Sequence, residues 1–225
     1  MRDTFHDELD QIGSSLVEMT DLVGSAIRRA TSALLDADLQ LAEAVIGADD
    51  DVDRLFHQTE KRAFDLLARQ QPVAHDLRVI VAGLRMVGDL ERMGDLAHHV
   101  AKIARMRYPA HAVPPPLRST VLEMGQTAER IVAKAGSVIA DQDVAMAVEI
   151  EADDDVMDAL HRKLFTIVLS DTWEHGMEPA IDVTLLSRYY ERFADHAVSV
   201  ARRVVYLVTG EAPEPFGTDV ISGPR

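Results

Sequence analysis

Residues 89–102 read DLERMGDLAHHVAK, and residues 189–202 read YYERFADHAVSVAR. Each stretch carries a Glu, an Arg directly after it, an Asp four positions beyond the Glu, and then the spacing A-x-x-V-A. On a helix, Glu91 and Asp95 share one face, as do Glu191 and Asp195. Like charges one turn apart repel, at a mild cost in helix stability. One such pair is unremarked on a long helix. Two in equivalent places imply a duplicated unit and a shared purpose.

Working outward, the apolar spacing is helical almost everywhere. Phe5, Leu9, Ile12, Leu16, Met19, Val23, Ile27, Ala30 and Leu34 recur at three- and four-residue steps, the seam of a bundle. A second helix is expected from about Leu39 to Ala68, stopping before Pro72. A third can open at that proline and run to about Met106 with Leu77, Ile80, Val87 and Leu90 inward. A proline-rich link, residues 108–116, follows. Three more helices fit 117–140, 143–169 and 181–208, with a break at His175-Gly176-Met177-Glu178-Pro179. The tail 210–225, rich in Pro and Gly, reads as disordered. The expected architecture is all-α: two tandem antiparallel three-helix bundles, 1–107 and 117–209, related by an internal repeat.

The repeat extends to a pair of acid-rich runs. IGADDDVDRLFHQ (46–58) matches IEADDDVMDALHR (150–162) at an offset of 104, whereas the carboxylate stretches match at 100. At that offset Met157 stands where the first half has Asp53. Asp49 and Asp53 are one helical turn apart, and so are Asp154 and Asp158. In an antiparallel bundle these runs can lie beside the Glu-Asp pairs of the next helix. Four carboxylates converging repel strongly unless a cation sits among them, and hard divalent cations or iron take oxygen ligands readily. The plainer reading is a solvated acidic face, with Arg92 and Arg192 pairing to Asp95 and Asp195 at i+3. Asp95-x-x-His98 matches one element of a di-iron carboxylate bundle, but Val198 occupies the equivalent place, so a ferritin-like oxidase fits poorly.

Composition narrows the classes. The 225 residues carry a formal charge of −15, which disfavours a nucleic-acid partner. There is no cysteine, so no disulfide, thiolate metal site or Cys nucleophile. The start, MRDTFHDELDQIG, lacks the apolar core of a signal peptide, and no apolar run approaches the roughly 20 residues of a membrane span. A cytoplasmic protein without direct membrane insertion is expected. No G-x-S-x-G, phosphate-cradling glycine loop or H-E-x-x-H is present, so catalysis gains no support.

ARQQPVAHDLR (68–78) followed by the two carboxylate stretches resembles the PhoU family of phosphate-uptake regulators. The resemblance rests on Arg69, Pro72, Asp76, Leu77 and Arg78, then Glu91, Arg92, Gly94 and Asp95, then Glu191, Arg192, Asp195 and His196. The sequence departs from the family pattern in an extra glutamine before Pro72, in Met157, and in Tyr190 where a Leu is usual. The resemblance implies a regulator and not an enzyme. It implies a homodimer that links the ATPase of a phosphate ABC transporter to a sensor histidine kinase, dampens phosphate-starvation signalling, and sits at the membrane only through those partners. It also implies Mg, Mn, Zn or Fe at two surface sites. Asp49, Asp53, Glu91 and Asp95 would serve the first; Asp153, Glu191 and Asp195 the second, with Asp154 and Asp158 as further candidates. A carboxylate-bridged metalloenzyme and a metal-free helical scaffold are the competing expectations.

Overall fold

A computed structural model describes residues 2–211. The expectation for the tail therefore falls almost wholly outside the described residues. Six long helices make up the structure: α1 (Arg2–Asp36), α2 (Leu39–Gln70), α3 (His75–Arg107), α4 (Arg118–Asp141), α5 (Val144–Val168) and α6 (Met177–Thr209). No strand occurs among the described residues.

Local chemistry sets the helix ends. Asp38 caps α2, its Oδ1 accepting from the Leu41 N–H at 2.9 Å, and Asp143 caps α5 through the Ala145 and Met146 N–H groups. The chain leaves α2 through Gln71 and enters α3 through Ala74, both at positive φ (45° and 49°). The third helix thus begins at His75, three residues later than Pro72 allows, and Leu77 in its first turn is 41% exposed. The sixth helix begins earlier than expected. Gly176, at φ 82°, takes the non-helical cap conformation, and Pro179 then falls in the first turn, where a missing N–H goes unused.

Burial gives the register of the repeat. Ala42, Val45, Val52 and Leu55 of α2 face inward, and so do Ala147, Ile150, Met157 and Leu160 of α5. These sets match at an offset of 105, one more than the sequence alignment chose. Met157 is therefore the partner of core residue Val52, and no acid is missing. Asp49 and Asp53 correspond to Asp154 and Asp158. For α3 and α6 the offset of 100 holds: Met86, Leu90, Met93 and Ala97 are buried, as are Leu186, Tyr190, Phe193 and Ala197.

The two bundles share one continuous core. Helix α1 packs along α4, and α3 along α6. Two glycines permit the first contact: a Cβ on Gly125 would lie 2.5 Å from Thr31 Cγ2, and one on Gly136 would lie 2.6 Å from Thr20 Oγ1. Thr20 corresponds to Gly125 and Thr31 to Gly136, so the contact is made twice about a pseudo-two-fold axis. Tyr190, which replaces an expected Leu, reaches across from α6. The Thr31 hydroxyl donates to the Ile27 carbonyl, so the Tyr190 hydroxyl donates to Thr31 Oγ1 at 2.7 Å. The link is packed down as well, with Ala112, Val113 and Leu117 buried.

Candidate metal centres and the α3–α6 seam

Each half presents its acidic i,i+4 pairs on adjacent helices, α2 against α3 and α5 against α6. In the first half, Gly94 lets α2 approach closely: a Cβ there would lie 3.2 Å from Val52 and 3.3 Å from Asp49 Oδ1. Asp49 also bonds to Nδ1 of His98, one turn beyond Asp95. A carboxylate only accepts, so the proton sits on Nδ1; the His98 Nε2 is buried and has no hydrogen-bond partner. A small cavity of about 60 Å³ adjoins Asp49, His98 and Gly94. Burial, then Asp49 and Asp95, push the Asp53 carboxyl above its ordinary value. Glu91 is raised by burial and by Asp95, against the pull of Arg92, with Asp53 and Asp49 adding to the rise. The four first-half acids therefore form one electrostatic group.

The second half is deeper and lacks the histidine. Burial, then Asp195, Asp158 and Glu191, raise the Asp154 carboxyl to about 7. Its Oδ1 is buried without a hydrogen-bond partner. Glu191 and Asp195 are raised as well, chiefly by burial, with Arg188 opposing in both cases. This group is Asp154, Asp158, Glu191 and Asp195.

Asp153 does not join it. Its carboxylate turns toward α4, 3.1 Å from Arg130 Nε and 2.9 Å from Lys134 Nζ. Burial works against ionisation there, but Lys134 and Arg130 hold the carboxyl below its ordinary value. The reason is the register: at an offset of 105, Asp153 corresponds to Ala48 and not to Asp49. The expected arginine pairs are also only half present. Arg92 bonds to Asp95 at 2.9 Å, whereas in the second half Arg188 takes Glu191.

Both groups fit a hard cation by donor chemistry, being rich in carboxylate oxygen, with the unpartnered His98 Nε2 beside the first and the unpartnered Asp154 Oδ1 within the second. They are not ready-made cages. Among the described residues, no three Asp, Glu or His side chains are already drawn together closely enough to hold an ion.

The α3–α6 seam holds polar residues that sequence reading passed over. Asp89 accepts from His196 Nδ1 at 3.0 Å, Ser199 Oγ at 3.0 Å and Arg203 Nε at 3.1 Å. Burial opposes its charge, yet these three donors hold its carboxyl below the ordinary value. At the far end of the seam, Arg107 forks onto Asp182 and also meets Glu178. Asp89 lies inside the very stretch that decided the fold. Only the distance of its partners, more than a hundred residues away, concealed it.

Two repeated three-helix units around one core, each with a carboxylate group on its surface, define a class of duplicated helical-bundle proteins. The chain belongs to the PhoU family: the PhoU domain matches residues 16–104 and 121–204. Those segments begin 105 residues apart and end 100 apart, as the burial register requires. The chain is 50% identical over 213 residues to "Phosphate-specific transport system accessory protein PhoU homolog 2" of Mycobacterium tuberculosis, covering 95% of this chain and 100% of that one. It is 46% identical over 225 residues to "Phosphate-specific transport system accessory protein PhoU homolog 1" of Mycobacterium leprae, covering both chains fully. The crystal structure of PhoU from Pseudomonas aeruginosa superposes with a TM-score of 0.84 at 31% identity, covering 92% of this chain and 100% of that one. The crystal structure of the phosphate transport system regulatory protein PhoU from Streptococcus pneumoniae gives 0.82 at 25% identity, covering 92% and 98%. The family is one of regulatory accessory proteins and not of enzymes. No helix among the described residues is long and apolar enough to cross a membrane.

Proposed function

We propose that this chain is a metal-dependent negative regulator of phosphate uptake, an adaptor between the ATPase of a phosphate ABC transporter and a sensor histidine kinase. A role in regulating phosphate transport follows from its family and from relatives described as accessory to that system. The observation that carries the finer reading is the pair of four-carboxylate groups at equivalent places of the two repeats. Burial, with the neighbouring acids adding to it, raises Asp53 and Glu91 in the first group and Asp154, Glu191 and Asp195 in the second, so each group is costly to keep without a ligand. Mg, Mn, Zn or Fe bound at Asp49, Asp53, Glu91 and Asp95, and at Asp154, Asp158, Glu191 and Asp195, would offset that cost and lock α2 to α3 and α5 to α6. The locked faces then offer a fixed surface to partners. Homodimer formation, a cytoplasmic location and attachment to the membrane only through those partners belong to the same reading.

The direct test is binding of purified chain to the transporter ATPase and to the kinase's cytoplasmic portion, with Mn and after chelation. Association that needs the metal is expected, and absence of association under both conditions refutes the adaptor. Metal sites are tested separately by thermal melts. Binding to the folded state adds about 2.7 kcal/mol at a hundredfold excess over the dissociation constant. Glu91→Gln with Asp95→Asn should remove the first site's share of the metal-dependent rise in Tm. An undiminished rise refutes the assignment.

A further inference from the structure

Where α3 and α6 cross near the pseudo-two-fold axis, a cleft of about 460 Å³ opens. In a chain of net charge −15 it is lined by Arg92, Arg188, Arg192, His99 and His196, with Tyr189 beside them. Asp95 is the one carboxylate among the lining residues; Arg92 also lies 3.7 Å from Glu91, and Arg188 pairs with Glu191, which leaves Arg192 as the lining guanidinium without a close acid. Arg92 and Arg192 are equivalents in the repeat, brought to the same opening from the two halves. Exposed arginines on helices are ordinarily solvated and paired along their own helix. Here Arg92 bonds to Asp95 and Arg188 to Glu191, but Arg192 makes no hydrogen bond or close ion pair among the described residues.

The histidines are held in place. His99 Nδ1 lies 2.5 Å from the Asp95 carbonyl oxygen, and His196 Nδ1 lies 3.0 Å from Asp89 Oδ1. Both acceptors lack a proton to give, so each Nδ1 carries one, and the Nε2 edge of each ring is the edge left over. The Tyr189 ring rests 5.3 Å from that of His99.

We propose that this cleft binds a compact polyphosphate anion of the pyrophosphate or triphosphate class, on the axis and in contact with both halves. Guanidinium groups are suited to it, because each presents five fixed N–H donors that match phosphate oxygens in pairs. The volume falls within the range of about 300–1,000 Å³ typical of small-molecule sites, larger than one phosphate group requires. The carboxylate groups flanking the cleft repel an extended polyanion strand, which selects a short anion over nucleic acid. The site does not depend on the metal reading.

The test is calorimetric titration of inorganic pyrophosphate into chelator-treated full-length protein at low salt, with orthophosphate and sulfate titrated alongside. One site per chain is expected, with pyrophosphate tightest. Replacing both axis arginines, Arg92→Gln with Arg192→Gln, should weaken binding at least about tenfold, the loss of one or more charged hydrogen bonds. Arg105→Gln, an exposed α3 arginine outside the cleft, should leave it unchanged. All three positions are exposed, and melts of the variants verify the fold. No saturable heat with pyrophosphate overturns the site. So does equal weakening by Arg105→Gln, which would mean unspecific charge attraction. Sulfate or orthophosphate binding as tightly as pyrophosphate overturns the polyphosphate class.

Discussion

Asp154→Asn should change the sign of its effect with the metal. In the folded chain the Asp154 carboxyl is raised from 3.8 to about 7 by burial and by Asp195, Asp158 and Glu191. Unfolding releases it to its ordinary value. Between pH 3.8 and about 7 the folded state therefore holds the proton more tightly, and stability falls as pH rises through that window. Above it the loss is complete. The full displacement corresponds to about 4 kcal/mol at about 1.36 kcal/mol per pH unit. The side chain is only part-buried, and solvent screening cuts this to about 1–2 kcal/mol. Asn removes the charge and keeps the shape. Metal-free Asp154→Asn should match the parent near pH 4 and melt about 2–8 °C higher at pH 8, given about 2–4 °C per kcal/mol for a chain of this size. With saturating Mn the order should reverse, because the variant has lost a ligand. The assay is a set of thermal melts across pH, with chelator and with Mn. A chelated variant that melts below its parent at pH 8 refutes the claim that these acids repel one another. An unchanged Mn response removes Asp154 from the second site.

Further perturbations probe the joints between the repeats. Gly125→Ala places a Cβ against Thr31, whose side chain is stiff at χ1 and is held by Tyr190, so overpacking should cost about 1–3 kcal/mol. The matching Gly136→Ala should cost a similar amount. Adding Thr20→Ala, whose hydroxyl bonds, among the described residues, only to the Val17 carbonyl of its own helix, should recover most of that loss in a denaturant melt; no recovery would refute the close contact. Asp89→Asn removes the charged acceptor shared by His196, Ser199 and Arg203, at about 1–3 kcal/mol near pH 7. Because the folded carboxyl is depressed, this contribution is present above pH 3.8 and is lost as pH falls through the folded value. Melts of the variant and its parent should therefore converge in acid.

Helix number, helix type and the core seam were legible because a 3.6-residue period over thirty residues leaves few alternatives. Every member of the Phe5–Leu34 series is buried. Helix starts were less legible. Pro72 and Pro179 look alike in sequence, yet one lies in a turn ahead of a helix and the other inside a first turn; the positive φ of Ala74 and Gly176 decided between them. The repeat was legible, but its register in α5 was not. ADDDV aligns by letters at 104, whereas the packing of Met157 under Val52's counterpart position demands 105. That single residue carried Asp153 into the expected ligand set, and Arg130 and Lys134 of α4 draw it out again. Neither the Asp89 junction nor the arginine cleft could be read along one helix. Both are made by residues a hundred positions apart, and no glycine loop or basic run advertises them.

The reciprocal contacts of Thr20 with Gly136 and of Thr31 with Gly125 are what two separate identical half-chains would make on meeting. Held as separate molecules, such halves would come apart on dilution, and their folding would depend on how much protein a cell contains. Joining them through the packed segment at Ala112 and Val113 makes the encounter intramolecular, at an effective concentration fixed by a short tether. The two halves are then free to diverge. One acquired His98 beside its acids and the other a deeper Asp154, while Arg92 and Arg192 still face each other. Covalent linkage thus lets a two-fold assembly carry two unequal carboxylate groups around one shared axis, an asymmetry that identical subunits encoded by one half-length chain could not display.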